Sequence, residues 1–158
     1  MLVDALGHGP KAAEAAGLAL AELDELPGEI PVERALDRLH QRLRGSRGAA
    51  ALLAWFDREG MTVGGVGNIE LRSLGERDLS YVPASGVLGG RMRKPRANRI
   101  ALQPGDRLLV HTDGIARRTP FSSLVGLEPA RLCTTLLEQH SHAHDDATLI
   151  HLTFLGSP

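Results

Sequence analysis

The sequence predicts a single α+β domain in which helices and strands occur in separate blocks along the chain. Two helical segments come first, a block of short strands follows, and one more helix precedes a final strand. This segregation favours antiparallel sheets layered with helices over a doubly wound parallel sheet. The length of 158 residues suits one domain, 1–158, and no stretch is long enough to act as a linker.

The first third of the chain predicts one strand and two helices. Residues 1–3 form the end of a buried strand that runs into a Gly-rich loop over 4–9. Pro10 suits the first position of a helix that continues through Ala-, Leu- and Glu-rich sequence to residue 26. A second helix extends from Pro31 to Gly45, because its apolar residues recur at helical spacing.

From Gly48 the pattern changes to strands. Segments 49–56, 61–66, 69–74 and 79–82, separated by turn residues, predict an antiparallel meander. A glycine-rich basic stretch over 86–99 leads to a strand near Ile100, and the apolar run 108–111 predicts another. A third helix is expected over 127–139, followed by a His-rich loop and a last strand over 147–155.

Aspartates follow or precede apolar strand segments at three places. Asp4 comes after Leu-Val, Asp113 comes after Leu-Leu-Val-His-Thr, and Asp145 and Asp146 directly precede Ala-Thr-Leu-Ile. Carboxylates brought together at strand ends repel one another unless a cation neutralises them, and oxygen ligands suit Mg²⁺ or Mn²⁺ better than zinc. The pattern indicates a metal site, but it is equally compatible with ordinary turn aspartates that cap loops.

A family resemblance extends over nearly the whole chain, with its motifs in order. The chain resembles the SpoIIE-like branch of the PPM protein phosphatases, and within it the stressosome phosphatases. The segments that carry this resemblance are Val3-Asp4-Ala5-Leu6-Gly7-His8-Gly9, Arg47-Gly48-Ala49-Ala50, Gly65-Val66-Gly67-Asn68, Pro104-Gly105-Asp106, Thr112-Asp113-Gly114 and Asp145-Asp146-Ala147-Thr148. The resemblance implies a β-sandwich flanked by helices, in four α-β-β-α layers.

The resemblance also implies a centre of two Mn²⁺ or Mg²⁺ ions at one end of the sandwich. Asp4 would bridge both ions, Ala5 would contribute its backbone carbonyl, and Asp113 and Asp145 would bind the first ion. Behind these ligands would lie Asp146 and Gly114.

The implied activity is that of a bacterial serine/threonine protein phosphatase. A hydroxide held by the ions would attack the phosphorus of phosphoserine or phosphothreonine, so Asp4, Asp113 and Asp145 would act in catalysis through the metal. The implied substrate is a phosphorylated STAS-domain protein, such as an anti-sigma-factor antagonist or a stressosome subunit.

The sequence departs from the family pattern in two respects. Ala5 stands where members usually have Gly, and its methyl group would be strained only if that residue adopted a positive φ. Members also have a pair of strands with a Gly-Asp motif before the first aspartate, and this chain begins after that point. Either its start is truncated or its site is reduced. The rival hypothesis is therefore a phosphatase-like module that binds a phosphoprotein without turnover.

Three further groups of residues have both a functional and a structural interpretation. His8 suits protonation of a leaving alkoxide or a loop-ordering hydrogen bond. Arg47 could bind phosphate or form a structural salt bridge. In the basic stretch, Arg91 and Arg93 could contact a phosphorylated partner or belong to a solvated turn. The alternating histidines before Asp145 could bind a soft metal or form a solvated loop; they are His140, His142 and His144. Cys133 is better explained as a core residue of a helix than as a nucleophile.

Composition argues against other classes of partner. The formal net charge is -1, with 18 basic and 19 acidic residues mixed along the chain, which provides no field to attract nucleic acid or an anionic membrane. One cysteine cannot form an internal disulfide, and there is no apolar run of membrane-spanning length. We expect a cytoplasmic protein, with homo-oligomerisation as one way to cover exposed sheet edges.

Overall fold

The computed structural model describes residues 1–79, 81–143 and 145–156. The strands within this part of the chain are β1 (Leu2–Ala5), β2 (Ala49–Asp57), β3 (Gly60–Val66), β4 (Glu70–Ser73), β5 (Asn98–Ala101), β6 (Arg107–His111) and β7 (Leu149–Thr153). The helices are α1 (Pro10–Asp24), α2 (Val32–Arg42), α3 (Phe121–Leu124) and α4 (Pro129–Gln139). The predicted α+β class is confirmed.

The chain divides into two compact units, neither of which is continuous in sequence. Unit 1 comprises Met1–Ile69 and Tyr81–Ile100, and it carries a sheet with the strand order β1-β2-β3-β5. Unit 2 comprises Glu70–Ser80 and Ala101–Pro158, and it carries a sheet with the order β4-β6-β7. The described pairings of β1 with β2, β2 with β3, β4 with β6 and β6 with β7 are all antiparallel.

Unit 1 is built on small residues and the apolar face of α2. The predicted face is buried, with Leu36 and Leu39 fully enclosed. Gly64 of β3 permits close packing, because a Cβ there would lie 2.8 Å from Val32 Cγ1. Trp55, the only tryptophan, donates its indole N–H to the Ile30 carbonyl over 2.8 Å and so fastens β2 to the segment between the helices.

Unit 2 has a separate core beneath α4. Its buried members are Leu74, Leu109, Ile115, Leu132 and Leu136. Arg107 of β6 donates to the carbonyls of Val125 and Leu127 over 2.6 and 2.9 Å, which secures the segment that enters α4.

The predicted meander is wrong in two places. β4 does not continue the sheet of β3 but pairs with β6, after a turn at Gly67, whose φ is 98° and whose amide donates to the Ala84 carbonyl. Residues 79, 81 and 82 form no strand; Pro83 lacks an amide hydrogen, and Val82 is 81% exposed. The remaining position of that predicted strand, Ser80, lies outside the described residues.

The other helices and strands agree with the sequence predictions to within a few residues, and α3 was not anticipated. A helix of four residues is too short to show a period in the sequence. No helix in the described part of the chain is long and apolar enough to cross a membrane.

Candidate metal centre

Asp4 is held in a strand, not in the loop predicted for residues 4–9. β1 continues through Ala5 because Asp4 and Ala5 pair in register with Ala50 and Ala49 of β2. The amide of Leu6 then donates to the Gly48 carbonyl over 3.0 Å. Strand pairing therefore fixes the backbone on both sides of the Asp4 carboxylate in unit 1.

The alanine that replaces the usual glycine is not strained. Among the described residues, only glycines have positive φ, so Ala5 has an ordinary strand conformation. The methyl group therefore imposes no backbone strain at this position.

The loop after β1 contacts Arg47. Gly7 has φ 79°, and a Cβ there would lie 2.9 Å from Arg47 Nη1, so the guanidinium lies against the loop. Arg47 is exposed and forms no salt bridge with a described carboxylate. His8 is also exposed, immediately before Gly9 and the first turn of α1.

In unit 2, hydrogen bonds join the segment that carries Asp113 to the segment that carries Asp145. The amide of Thr112 donates to the Thr148 carbonyl over 3.0 Å, and the Thr148 amide donates to Thr112 Oγ1 over 3.1 Å. Two more bonds follow, from His142 N to the Gly114 carbonyl over 2.8 Å and from Ala116 N to the His140 carbonyl over 2.7 Å. The two aspartates predicted to share one ion thus lie on loops that are bonded to each other.

Gly114 permits the closest approach between these loops. A Cβ at this position would overlap the carbonyl oxygen of Asp146 and lie 2.9 Å from Ala147 Cα. The carboxylate of Asp145 accepts a hydrogen bond from the Asp146 amide over 3.0 Å, which orients one of its oxygens. Asp146 thus contributes backbone contacts behind the predicted ligands.

A buried histidine beneath the Asp113 loop was not anticipated. His111 is 2% exposed, and its Nδ1 lies 2.9 Å from the Thr112 carbonyl, while Arg72 Nε donates to its Nε2 over 3.3 Å. This pattern corresponds to a neutral ring with the proton on Nδ1. Burial lowers the pKa of His111, in keeping with that neutral form.

His111 also belongs to a packed cluster of side chains. Its ring stacks on Phe121 at 5.5 Å, the Arg72 guanidinium lies over the same phenyl ring, and Glu70 pairs with Arg72 at 2.5 Å. The sequence signal was the histidine that closes the apolar run 108–111, but its partners in β4 and α3 are set by tertiary pairing.

The chemistry of the predicted donors fits a hard divalent cation. Asp4, Asp113 and Asp145 offer carboxylate oxygens and Ala5 offers a carbonyl oxygen, which suit Mg²⁺ or Mn²⁺. Over residues 1–79, 81–143 and 145–156, no three His, Cys, Asp or Glu side chains are grouped as a metal site. The assignment of these ligands stays a prediction.

The remaining candidates fall into three groups. The carbonyl of His140 and the amide of His142 take part in the loop bonds described above, and His144 lies outside the described residues. Burial raises the pKa of the Cys133 thiol, which opposes a role as a nucleophile. Arg91 and Arg93 line different cavities of unit 1, Arg91 with Asp37 and His40, Arg93 with Lys94 and Arg96.

Comparison with known proteins decides the family. The family described as Stage II sporulation protein E (SpoIIE) matches residues 1–155. The chain belongs to the SpoIIE family. The predicted family resemblance is therefore confirmed.

A curated relative of this SpoIIE-family chain is the phosphoserine phosphatase RsbX of Bacillus subtilis (strain 168). The two are 30% identical over 118 residues, which cover 72% of this chain and 59% of RsbX. The match thus spans about three fifths of the length of that relative.

Solved structures confirm the PPM phosphatase fold. A chain from a study of the bacterial stressosome as a modular system superposes with a TM-score of 0.83 at 29% identity, over 94% of this chain and 81% of the other. RsbX in complex with magnesium superposes with a TM-score of 0.76 at 24% identity, over 94% of this chain and 76% of RsbX. The Mycobacterium tuberculosis serine/threonine phosphatase PstP superposes with a TM-score of 0.75 at 14% identity, over 98% of this chain and 87% of PstP. At that identity the similarity bears on the fold alone.

Proposed function

We propose that the chain is a metal-dependent serine/threonine protein phosphatase. Membership of the SpoIIE family supports this proposal, together with the similarity to a phosphoserine phosphatase. The structural observation that carries it is the bonded pair of loops in unit 2, because that arrangement places the Asp113 and Asp145 backbones on adjoining segments. A protein without a cation has no evident need to keep two carboxylates on such closely packed loops.

The proposed ligands are Asp4, Asp113 and Asp145, with the carbonyl of Ala5. The proposed ions are Mg²⁺ or Mn²⁺, two in number, in line with the oxygen-only donors. When bound, the ions would activate water for attack on phosphorus and neutralise the charge of the phosphate. In unit 1 the paired end of β1 holds the backbone of Asp4, and in unit 2 the bonded loops hold the backbones of Asp113 and Asp145.

Two side chains of unit 1 have proposed roles toward the phosphate ester. The Arg47 guanidinium lies beside the loop that follows Asp4 and forms no salt bridge with a described carboxylate, and guanidinium groups bind phosphate oxygens in a bidentate manner. His8 is exposed on the same loop, where an imidazole can donate a proton to the leaving serine or threonine oxygen.

The proposed substrate is a phosphorylated STAS-domain protein of a bacterial signalling system. Support comes from the relative named as a phosphoserine phosphatase and from the stressosome chain of similar structure. The first supports phosphoserine as the group that is hydrolysed, and the second supports a stressosome component as the protein that carries it.

The test is metal-dependent hydrolysis of p-nitrophenyl phosphate by the purified chain, compared with the Asp113→Asn variant. We expect turnover with Mn²⁺, its loss with chelator, and a fall of about 100-fold or more in the variant, because a metal ligand is removed. The matched control is Asp24→Asn, since Asp24 is exposed at the end of α1 and should leave turnover unchanged.

Calorimetric titration with Mn²⁺ provides a second readout. We expect Asp113→Asn to bind Mn²⁺ more weakly than the unmodified chain and Asp24→Asn to bind it equally well. A folded, metal-bound chain without turnover on either p-nitrophenyl phosphate or a phosphoserine peptide would contradict the phosphatase proposal and support the phosphoprotein-binding module.

A further inference from the structure

A basic groove opens on unit 1, formed by residues 82–85, 93–94 and 96–98. Its volume is about 490 Å³, and its described lining includes Arg93, Lys94 and Arg96 but no carboxylate. These three side chains are exposed, and none forms an ion pair with a described carboxylate. The groove therefore concentrates positive charge on a protein whose formal net charge is -1.

A neighbouring arginine differs from the groove cations because it has a carboxylate partner within the chain. Arg99, close by in sequence, donates to Asp57 over 2.7 Å, so its charge is paired within the chain at the protein surface. The cations of the groove have no such partner among the described residues, and they are available to an external anion.

The backbone of the groove is fixed by hydrogen bonds of its own lining residues. The Ala84 amide donates to the Gly65 carbonyl over 2.9 Å, and the Ala84 carbonyl accepts from the Gly67 amide over 3.0 Å. The Arg93 amide donates to the Ser85 carbonyl over 2.9 Å, and the Ala97 amide donates to Glu33 Oε1 of α2 over 3.0 Å. A pre-formed groove loses little conformational entropy when a ligand binds.

The residues between the two stretches of the groove, 86–92, connect it to the strand that carries Asp4. Leu88 in this segment is fully buried and exchanges two backbone hydrogen bonds with Ala49 of β2. Ala49, which bonds to Leu88, is the register partner of Ala5 in β1. Gly48 packs on the Leu88 carbonyl, where a Cβ would lie 2.5 Å from the oxygen, and its own carbonyl accepts from Leu6. The groove is thus anchored at the end of β2 that holds Asp4 in place.

We propose that this groove binds an acidic peptide segment of the protein substrate, beside the phosphorylated residue. The proposal rests on the proposed phosphatase function and specifies how a protein substrate is chosen. Guanidinium and ammonium groups suit Glu and Asp side chains, and Val82, 81% exposed at the groove, offers an apolar contact to a peptide. The residues known to line the groove include no aromatic side chain on which a nucleic-acid base would stack.

The probe is a short fluorescein-labelled peptide with one phosphoserine among glutamates, compared with the same peptide carrying glutamines instead. Fluorescence anisotropy with the full chain measures binding directly and does not depend on turnover. We expect the glutamate peptide to bind about tenfold more tightly than the glutamine peptide, because three exposed charge pairs each contribute modestly. That preference should weaken as salt is added.

The groove variant is R93E/K94E/R96E, and its matched control is R42E/R44E/R58E, which makes the same charge change at exposed positions of unit 1 outside the groove. We expect the groove variant to lose the preference for the glutamate peptide and the control to keep it. Circular dichroism checks that both are folded. Equal affinity for the two peptides, or a groove variant that binds like the unmodified chain, would overturn the proposal.

Turnover separates this proposal from the phosphatase proposal. We expect kcat/KM for the glutamate phosphopeptide to fall about tenfold in the groove variant, while hydrolysis of p-nitrophenyl phosphate stays within about twofold. Lack of turnover on both substrates by the unmodified chain would sink the phosphatase proposal, and anisotropy would still test the groove. Tighter binding of an oligonucleotide or of anionic vesicles than of the glutamate peptide would refute the peptide assignment.

Discussion

Asp57 and Arg99 of unit 1 show how the pKa of an exposed carboxyl group can be shifted without burial. The Asp57 carboxylate accepts hydrogen bonds from Arg99 over 2.7 Å and from the Glu59 amide over 2.9 Å. The hydrogen bond from Arg99 is the largest cause that lowers the pKa of Asp57 from 3.8 to about 2, and the Glu59 amide comes next.

We predict that Arg99→Ala raises the pKa of Asp57 toward 3.8, as measured by NMR titration of the carboxyl carbon. The folded pKa is below the unfolded value, so this pair stabilises the fold above about pH 4 and loses that effect as the pH falls through about 2. The slope of stability against pH should therefore be shallower in Arg99→Ala across that window. Arg58→Ala, an exposed neighbour in the same turn, is the control, and an equal change in both variants would contradict the assignment.

Residues that belong to motifs were predictable, and residues that act through tertiary contact were not. Asp113 and Asp145 were singled out as candidate ligands because they stand beside apolar strand segments in familiar motifs, and their role as ligands stays a prediction. His111 and Arg72 were missed as a pair, since they are 39 positions apart and meet only through the alignment of β4 with β6. No local spacing in the sequence encodes that contact.

Among the structural elements, the two loops of unit 2 depend on a residue without a side chain. Gly114 has no positive φ, so glycine is needed there for close approach to Asp146 and Ala147 rather than for a special backbone conformation. The consequence is that even a methyl group must push the loops apart.

We predict that Gly114→Ala lowers the free energy of unfolding by about 1–3 kcal/mol, because it overpacks the loops. Mn²⁺-dependent hydrolysis of p-nitrophenyl phosphate should fall as well, since Asp113 and Asp145 would be displaced. Gly126→Ala is the matched control, because a Cβ at Gly126 meets nothing within 4 Å. Urea titration measures both variants, and equal stabilities would show that the loops accommodate the methyl group.

Helix and strand positions were more predictable than strand partners. The apolar face of α2 and the Pro10 start of α1 follow from local pattern, and both are present. β4 was expected to follow β3 in one meander, but a short strand can pair with any edge that buries its apolar residues. Leu71 does so opposite Val110 of β6, a choice made by packing and not by proximity in sequence.

At the scale of the whole molecule, the chain passes between the two units three times, at residues 69–70, 80–81 and 100–101. Each unit therefore needs distant parts of the sequence to complete its sheet. This interleaving bears on the expectation that residues 1–158 form a single domain, which stays a prediction.

We predict one cooperative unfolding transition for the chain. Trp55 fluorescence reports on unit 1, and hydrogen exchange of the β6 and β7 amides reports on unit 2, since each probe lies within a single unit. Coincident midpoints in urea are expected, because neither unit can be completed by a continuous segment. Midpoints that differ reproducibly between the two probes would show that the units unfold separately.

The interleaved path of the chain also determines when the strands of unit 2 can pair during synthesis on the ribosome. β4 is synthesised before its partner β6, and β6 is synthesised before its second partner β7. The last residue of β7, Thr153, follows the last residue of β4, Ser73, by 80 residues. At translation rates of about 5–20 residues per second, the sheet of unit 2 stays incomplete for roughly 4–16 s after β4 has been synthesised. Nascent chains would therefore present an open strand edge during that interval, a period in which chaperones have time to bind.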